Sequence, residues 1–136
     1  MIDPSLALQG VIVTALKAST AVKALLGNPA RVYDQVPTGA AFPYASLGSS
    51  QVVNDGNACG AIAEVFLSID FWSRAVGFPE VRNVASAAAT VLSQPLSVPG
   101  FVVVIQDVED INYRRDPDGL TSRATIGLRF SLVAAP

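Results

Sequence analysis

The clearest pattern in the chain is an alternation of apolar and polar residues near its C-terminal end. Polar residues hold most of the odd positions of residues 120–132, and apolar residues hold nearly all of the even ones. The apolar set is Leu120, Ala124, Ile126, Leu128, Phe130 and Leu132. A period of two is typical of a strand with one buried and one exposed face. We therefore predict a strand whose even-numbered side chains, Leu120 included, face the core.

The residues before this strand predict a long β-hairpin over residues 101–133. Residues 116–119 read Asp-Pro-Asp-Gly, which is turn chemistry. Two registers are open: a two-residue turn would pair Arg115 with Leu120, whereas a bulge at Gly119 would pair Asp116 with Leu120. Residues 101–105 are apolar at consecutive positions, so we expect them to be covered on both faces. Residues 109–123 are polar and charged, and we expect them to project beyond the core.

Three segments have helical signals. Asp3 followed by Pro4 is a strong helix start, and residues 21–26 follow a second capping site and predict a short helix. A third helix is predicted to begin at Pro79 and to end before Pro95, with apolar residues at helical spacing between them.

Residues 31–36, 43–53 and 61–74 read as strands. The order of helix, strands, helix and hairpin predicts an α+β fold over a single domain, residues 1–136. Its sheet is expected to be largely antiparallel, with the helices packed on one face and a long C-terminal β-hairpin. Phe66 and Trp72 fall on the polar face of the third strand, which is either a partly covered sheet face or a subunit contact.

The composition changes this picture in one respect. Hydrophobic residues make up 51% of the chain and charged residues only 15%, against about 25% in ordinary soluble domains. So few charges favour a subunit that buries surface in an oligomer over an Ala- and Val-rich monomer.

The net charge of −2 argues against a dedicated nucleic-acid binder. We expect no membrane span, because lysines interrupt the only long apolar stretch.

The chain is poor in the residues that catalysis and metal binding require. It has no histidine, and its single cysteine, Cys59, lies in a Gly- and Asn-rich loop, which predicts no disulfide and a reducing compartment. Asp107, Glu109 and Asp110 offer oxygen ligands to a hard cation, but a solvated strand edge is the plainer interpretation. We therefore predict that the protein is not an enzyme and has no catalytic, cofactor or metal site.

Four short segments together resemble one family. They are RVYDQVP at residues 31–37, FPY at 42–44, FWSR at 71–74 and RDPDG at 115–119. In this order and spacing they resemble the small tail-completion proteins of long-tailed phages, prophages and gene transfer agents. The resemblance implies a non-enzymatic tail terminator, made in the bacterial cytoplasm and located at the head–tail junction of a virion or phage-like particle.

The resemblance also implies partners. Copies of the chain would form a ring, hexameric by family resemblance, at the head-proximal end of the tail tube. The ring would end polymerisation of the tube protein and join a head connector or stopper protein, while DNA passes through its lumen without specific binding. Alternatives are another connector or stopper ring subunit and, from a different class, a small-ligand-binding or accessory enzymatic α+β domain.

Aromatic and arginine residues are the candidates for the subunit or partner interface. Aromatics are enriched at interfaces, and arginine pairs with carboxylates in a bidentate manner. The hairpin tip is expected to contact a neighbour, a solvated turn being the alternative, and residues 32–44 are expected at the rim of the sheet. The candidates are Tyr33, Phe42, Tyr44, Phe66, Trp72, Arg114, Arg115, Asp116, Asp118 and Arg123.

Overall fold

Three helices and five strands follow one another in a computed structural model that describes residues 2–54, 56 and 61–136. The predicted loop with Cys59 lies largely outside the described residues. The elements are α1 (Ser5–Ala18), α2 (Thr20–Leu26), β1 (Val32–Tyr33), β2 (Tyr44–Asn54), β3 (Ile62–Ser73), α3 (Pro79–Leu92), β4 (Phe101–Arg115) and β5 (Ser122–Ala134).

The helices begin and end close to their sequence signals, although Pro4 is the N-cap of α1 and not its first helical residue. The Ser5 amide donates to Asp3 Oδ1 at 3.0 Å just ahead of α1. The Val22 amide donates to Ser19 Oγ at 3.2 Å, which caps α2, and Gly27 ends that helix with φ 91°. Pro79 is the first residue of α3. No single described helix is long and apolar enough to cross a membrane, and α1 with α2 meets that criterion only as a pair bent by 80°.

The strands form one sheet in the order β1-β2-β3-β5-β4. Only the β1–β2 pair is parallel, so the predicted α+β fold with a largely antiparallel sheet and a C-terminal hairpin is confirmed. The predicted strand over residues 31–36 was too long. β1 ends at Tyr33, and the Ala40 amide donates to the Pro37 carbonyl in a turn that leads the chain away from the sheet.

The core lies between the helices and one face of the sheet. The side chains that the period of two assigns to the inner face of β3 and β5 are nearly all buried, and Phe71 and Phe130 are the largest of them. From α3, Val81, Val84, Ala85, Ala88 and Leu92 pack against this face. Small residues on α3 let the helix approach the strands closely.

The hairpin differs from its prediction in three ways. Its far half does not project, because β5 pairs with β3 as far as Ser122 opposite Ser73, and only the loop that joins β4 to β5 extends beyond the sheet. Neither predicted register is right: Arg115 pairs with Ser122, and the Asp116 amide donates to the Thr121 carbonyl at 2.8 Å. Leu120 therefore lies in the loop rather than in β5, and it is 69% exposed.

The start of β4 is covered on one face only. Val102 and Val104 are 46% and 61% exposed, whereas Phe101 and Val103 are half-buried against the core. The prediction of cover on both faces was wrong because β4 is the outer strand and helices lie on a single side of the sheet. The pairing of β4 with β5 is irregular between Val103 and Ile105 and again between Val108 and Asp110.

Candidate interaction surface

The sheet face that points away from the helices, here called the open face, carries most of the candidate residues. Successive side chains of a strand point to opposite faces. On β3 the core side chains are Ala63, Val65, Ile69 and Phe71, so Phe66 and Trp72 point to the open face, where both are half-buried. The sequence prediction that these two aromatics share the polar face of this strand is therefore right.

A row of large side chains crosses the open face near the hairpin loop. Tyr44 on β2 is directly opposite Trp72 on β3, Trp72 is opposite Arg123 on β5, and Arg123 is opposite Arg114 on β4. We call these four residues the aromatic–arginine row. The Tyr44 and Trp72 rings stack with their centroids 6.4 Å apart, and Arg123 Cζ lies 5.1 Å from the centre of the Trp72 ring. Such contacts hold the side chains in place on the sheet.

Aromatic residues from the β1–β2 connection extend the row at the Tyr44 end. The Phe42 and Tyr33 rings lie 4.9 Å and 5.9 Å from the Tyr44 ring, and Arg74 Cζ lies 4.6 Å from the centre of the Phe42 ring. Burial raises the pKa of Tyr44 against the opposing effect of Arg74, so its phenol stays neutral. Residues 32–44 thus lie at the rim of the sheet, as their sequence predicts.

Hydrogen bonding in the row is incomplete. Trp72 Nε1 donates to Ser46 Oγ at 3.0 Å. Arg123 Nε is buried, and it has no hydrogen-bond acceptor among the residues that the structure describes. A buried donor without an acceptor is unfavourable, so the stack on Trp72, and not a hydrogen bond from Nε, holds the Arg123 side chain in place.

The Asp118 carboxylate and the Asp116 backbone form hydrogen bonds within the hairpin loop and hold its shape. Asp118 Oδ1 accepts from the Leu120 and Thr121 amides at 2.8 and 2.9 Å, and Asp118 Oδ2 accepts from the Thr121 hydroxyl at 2.8 Å. The backbone hydrogen bonds from Thr121 and then Leu120 are the main causes that lower the pKa of Asp118. The Asp116 carbonyl accepts from the Gly119 amide at 3.0 Å. Asp118 is therefore a loop-forming residue in the isolated subunit.

Arg115 lies on the other side of the sheet from Arg114. Its Cζ is 4.9 Å from the centre of the Phe78 ring, next to Arg82, which stacks on Tyr113 at 4.3 Å. Adjacent residues of a strand point to opposite faces, so of the three candidate arginines only Arg114 and Arg123 are neighbours.

A second exposed surface, here called the tip patch, was not predicted from the sequence. It consists of Arg74, Val76, Arg115 and Leu120, which line a cavity of about 360 Å³ between the β3–α3 connection and the hairpin loop. Val76 is 98% exposed and Leu120 is 69% exposed. Val76 is a single apolar residue in a connecting segment, so no periodicity marks it.

Phe66 is separate from the aromatic–arginine row, about 20 Å away along β3. It lines a groove of about 410 Å³ on the open face together with Ser68, Glu109, Asp110 and Gly127. We call these five residues the acidic groove. Because Gly127 has no Cβ, the Asp110 carboxylate lies in the space that a Cβ would fill. Nearby, Arg129 pairs with Glu64 at 2.8 Å, and this hydrogen bond lowers the pKa of Glu64.

Comparison with known proteins places this chain in a known family. The sequence model of the family described as "Tail completion protein gp17" matches residues 10–132, which is nearly the whole chain. The chain belongs to the gp17 tail-completion family. A gp17 tail-completion protein is a structural tail component of a phage or phage-like particle, and its family is not an enzyme family.

Solved structures agree with this assignment. A chain from the virion of a native gene transfer agent particle is 26% identical, with a TM-score of 0.88 over 98% of this chain and 100% of that one. The gp17 protein of bacteriophage SPP1 is 20% identical, with a TM-score of 0.62 over 93% of this chain and 88% of that one, and it supports the fold. No curated protein sequence matches.

Proposed function

We propose that this tail-completion protein is the tail terminator of its particle. Copies of the chain close into a ring, of six by family resemblance, on the head-proximal end of the tail tube. The ring ends polymerisation of the tube protein, joins the head connector or stopper protein, and leaves a lumen through which DNA passes. The gp17 family match and the likeness to a gene transfer agent virion chain support this proposal.

The observation that carries the proposal is the open face of the sheet. The helices cover one face only, and the other holds the half-buried Tyr44, Phe66 and Trp72, with Arg123 stacked on Trp72. Aromatic and arginine residues are the types enriched where subunits meet. The aromatic–arginine row, with Tyr33 and Phe42 beside it, is therefore the surface that we assign to a neighbour.

Mass measurement with and without tail tubes tests the proposal. Native mass spectrometry of the purified protein at high concentration, or bound to tubes, should show a closed oligomer, and micrographs should show a ring capping one end of each tube. A lone monomer on intact particles would contradict ring formation. Binding along the whole tube, instead of at its end, would contradict the terminator role.

A substitution in the aromatic–arginine row tests whether this row forms the contact between subunits. Trp72→Ala removes the stack with Tyr44 and the support of Arg123, and we expect it to weaken ring formation at least about tenfold, as for an interface anchor. Val102→Ala is the control, because this residue is exposed on the outer strand away from the row. Both variants should keep the circular dichroism spectrum of the parent. Equal assembly by both would remove the row from the interface.

A further inference from the structure

The tip patch and the acidic groove are two surfaces that complement each other. The tip patch belongs to the end of the molecule where the hairpin loop extends beyond the sheet, and it combines two exposed apolar side chains with Arg74 and Arg115. The acidic groove is concave, with Phe66, Glu109 and Asp110 among its lining residues. Both surfaces therefore pair apolar area with charge, and their charges are opposite.

The charged groups of both surfaces are available to another molecule. Within the described ranges, 2–54, 56 and 61–136, the one ion pair closer than 4.0 Å joins Arg129 to Glu64. The guanidinium groups of Arg74 and Arg115 stack instead on Phe42 and Phe78. Stacking fixes a guanidinium while leaving N–H groups in its plane able to bind carboxylates, although Arg74 Nε already donates to Thr121 Oγ1 at 3.3 Å.

We propose that the tip patch of one copy binds in the acidic groove of the next copy. Arg74 and Arg115 pair with Glu109 and Asp110 of the neighbour, while Val76 and Leu120 cover apolar area around the neighbour's Phe66. The second copy is the occupant because each subunit carries both complementary surfaces. This inference rests on the proposed ring and names its contact.

The arrangement of the two surfaces favours a ring over a two-fold dimer. The tip patch is at the end of the sheet, and the acidic groove is on the open face, so the contact joins two different surfaces. A contact between different surfaces repeats from subunit to subunit and closes when its rotation fits a whole number of copies.

Charge reversal in two variants tests the contact. The first variant is Arg74→Glu with Arg115→Glu, and the second is Glu109→Lys with Asp110→Lys. Each variant alone brings like charges together. The protein concentration at which half of its subunits are assembled should therefore rise at least about tenfold. An equimolar mixture restores opposite charges at every contact of an even-numbered ring. The mixture should therefore assemble near the parent concentration, with both masses in each ring.

Lys17→Glu with Lys23→Glu is the matched control, since it reverses two positive charges on α1 and α2, away from both surfaces. It should assemble like the parent. Circular dichroism and thermal midpoints confirm that each variant is folded before assembly is scored by native mass spectrometry.

The outcomes separate this inference from the proposed function. If the parent chain forms no ring on tubes, the proposed function fails. If the parent assembles and both reversed variants assemble equally well, the contact is wrong. It is also wrong if both variants fail and the mixture fails too, or if the mixture forms only pairs.

Discussion

Asp118 shows how one carboxylate can define a hairpin loop. It accepts three hydrogen bonds from the two residues that follow Gly119, and these bonds hold Leu120 out of the strand. A lowered pKa means that folding favours the charged form, so the stabilisation is present above the ordinary aspartate pKa of about 3.9. It is lost as the pH falls through the lower pKa of the folded protein.

We therefore expect Asp118→Ala to lower the thermal midpoint near pH 6. The difference from the parent should shrink as the pH falls below about 4, where the parent loses the charge as well. Thermal unfolding followed by circular dichroism from pH 3 to pH 7 measures both trends. Asp118→Asn keeps an acceptor oxygen and should fall between the two. A difference that stays constant over this pH range would show that the charge is not responsible.

Gly48 and Gly127 both lie on the sheet, and together they test how much space each position has for a Cβ. A Cβ at Gly127 would meet the Asp110 carboxylate, a flexible side chain that can move away. A Cβ at Gly48 would meet the Ser68 hydroxyl and also the Ser68 carbonyl oxygen at 3.0 Å, which belongs to the backbone of β3. The backbone of a central strand cannot give way as a side chain can.

Gly48→Ala should therefore reduce the free energy of unfolding by about 1–3 kcal/mol, the usual cost of overpacking. Gly127→Ala should change it by less than about 0.5 kcal/mol, because Asp110 rotates into solvent. Urea unfolding of the two variants beside the parent measures the difference. An equal loss in both would mean that Asp110 is held as firmly as the backbone.

At the scale of elements, the contact between α3 and the sheet depends on small side chains. Ala88 is fully buried where α3 lies against the strands, whereas Asn83 is on the solvent side of the same helix. Ala88→Leu should cost about 1–3 kcal/mol in the free energy of unfolding because the core has no space for the added atoms. Asn83→Leu places the same leucine side chain at an exposed site and should cost less than about 0.5 kcal/mol. A tolerated Ala88→Leu would show that α3 can move away from the sheet.

The elements that the sequence predicts well are those whose signal is local. Alternation in β3 and β5, and the caps of the helices, are read from neighbouring residues. The predictions that failed depended on distant partners. Val102 is exposed because β4 is an outer strand. The far half of the hairpin does not project because β3 is long enough to pair with it. The short β1 reflects a bend at residues 34–35 that strand propensity does not detect.

The candidate interface residues were likewise predicted well where the signal is local and poorly where it depends on distant partners. The period of two places Phe66 and Trp72 on one face, but the neighbours of Trp72 across the sheet depend on the register of three strand pairs. No local pattern brings Tyr44 next to Trp72 or Arg123 next to Arg114, whereas the period of two alone separates Arg115 from Arg114. Leu120 was misplaced because apolar alternation continues into a loop that Asp118 shapes.

At the scale of the whole molecule, the charge balance bears on DNA. The chain has 9 basic and 11 acidic residues. Tight DNA binding requires several phosphate contacts from lysine or arginine, and its affinity then falls steeply with salt. We expect a near-neutral or acidic lumen and weak, transient contact with duplex DNA. A fluorescence anisotropy titration at physiological salt should give a Kd weaker than about 1 μM, and tighter binding would indicate a lumen that grips DNA.

The irregular pairing along β4 has a consequence for subunits that have not yet assembled. A long outer strand can template the growth of fibres by adding identical strands to its free edge. Here two bulges break the regular spacing of free backbone groups, and the charges of Asp107, Glu109 and Asp110 repel an identical edge. Freshly synthesised copies can therefore accumulate without stacking edge to edge along β4, so fibre growth does not compete with assembly through other surfaces.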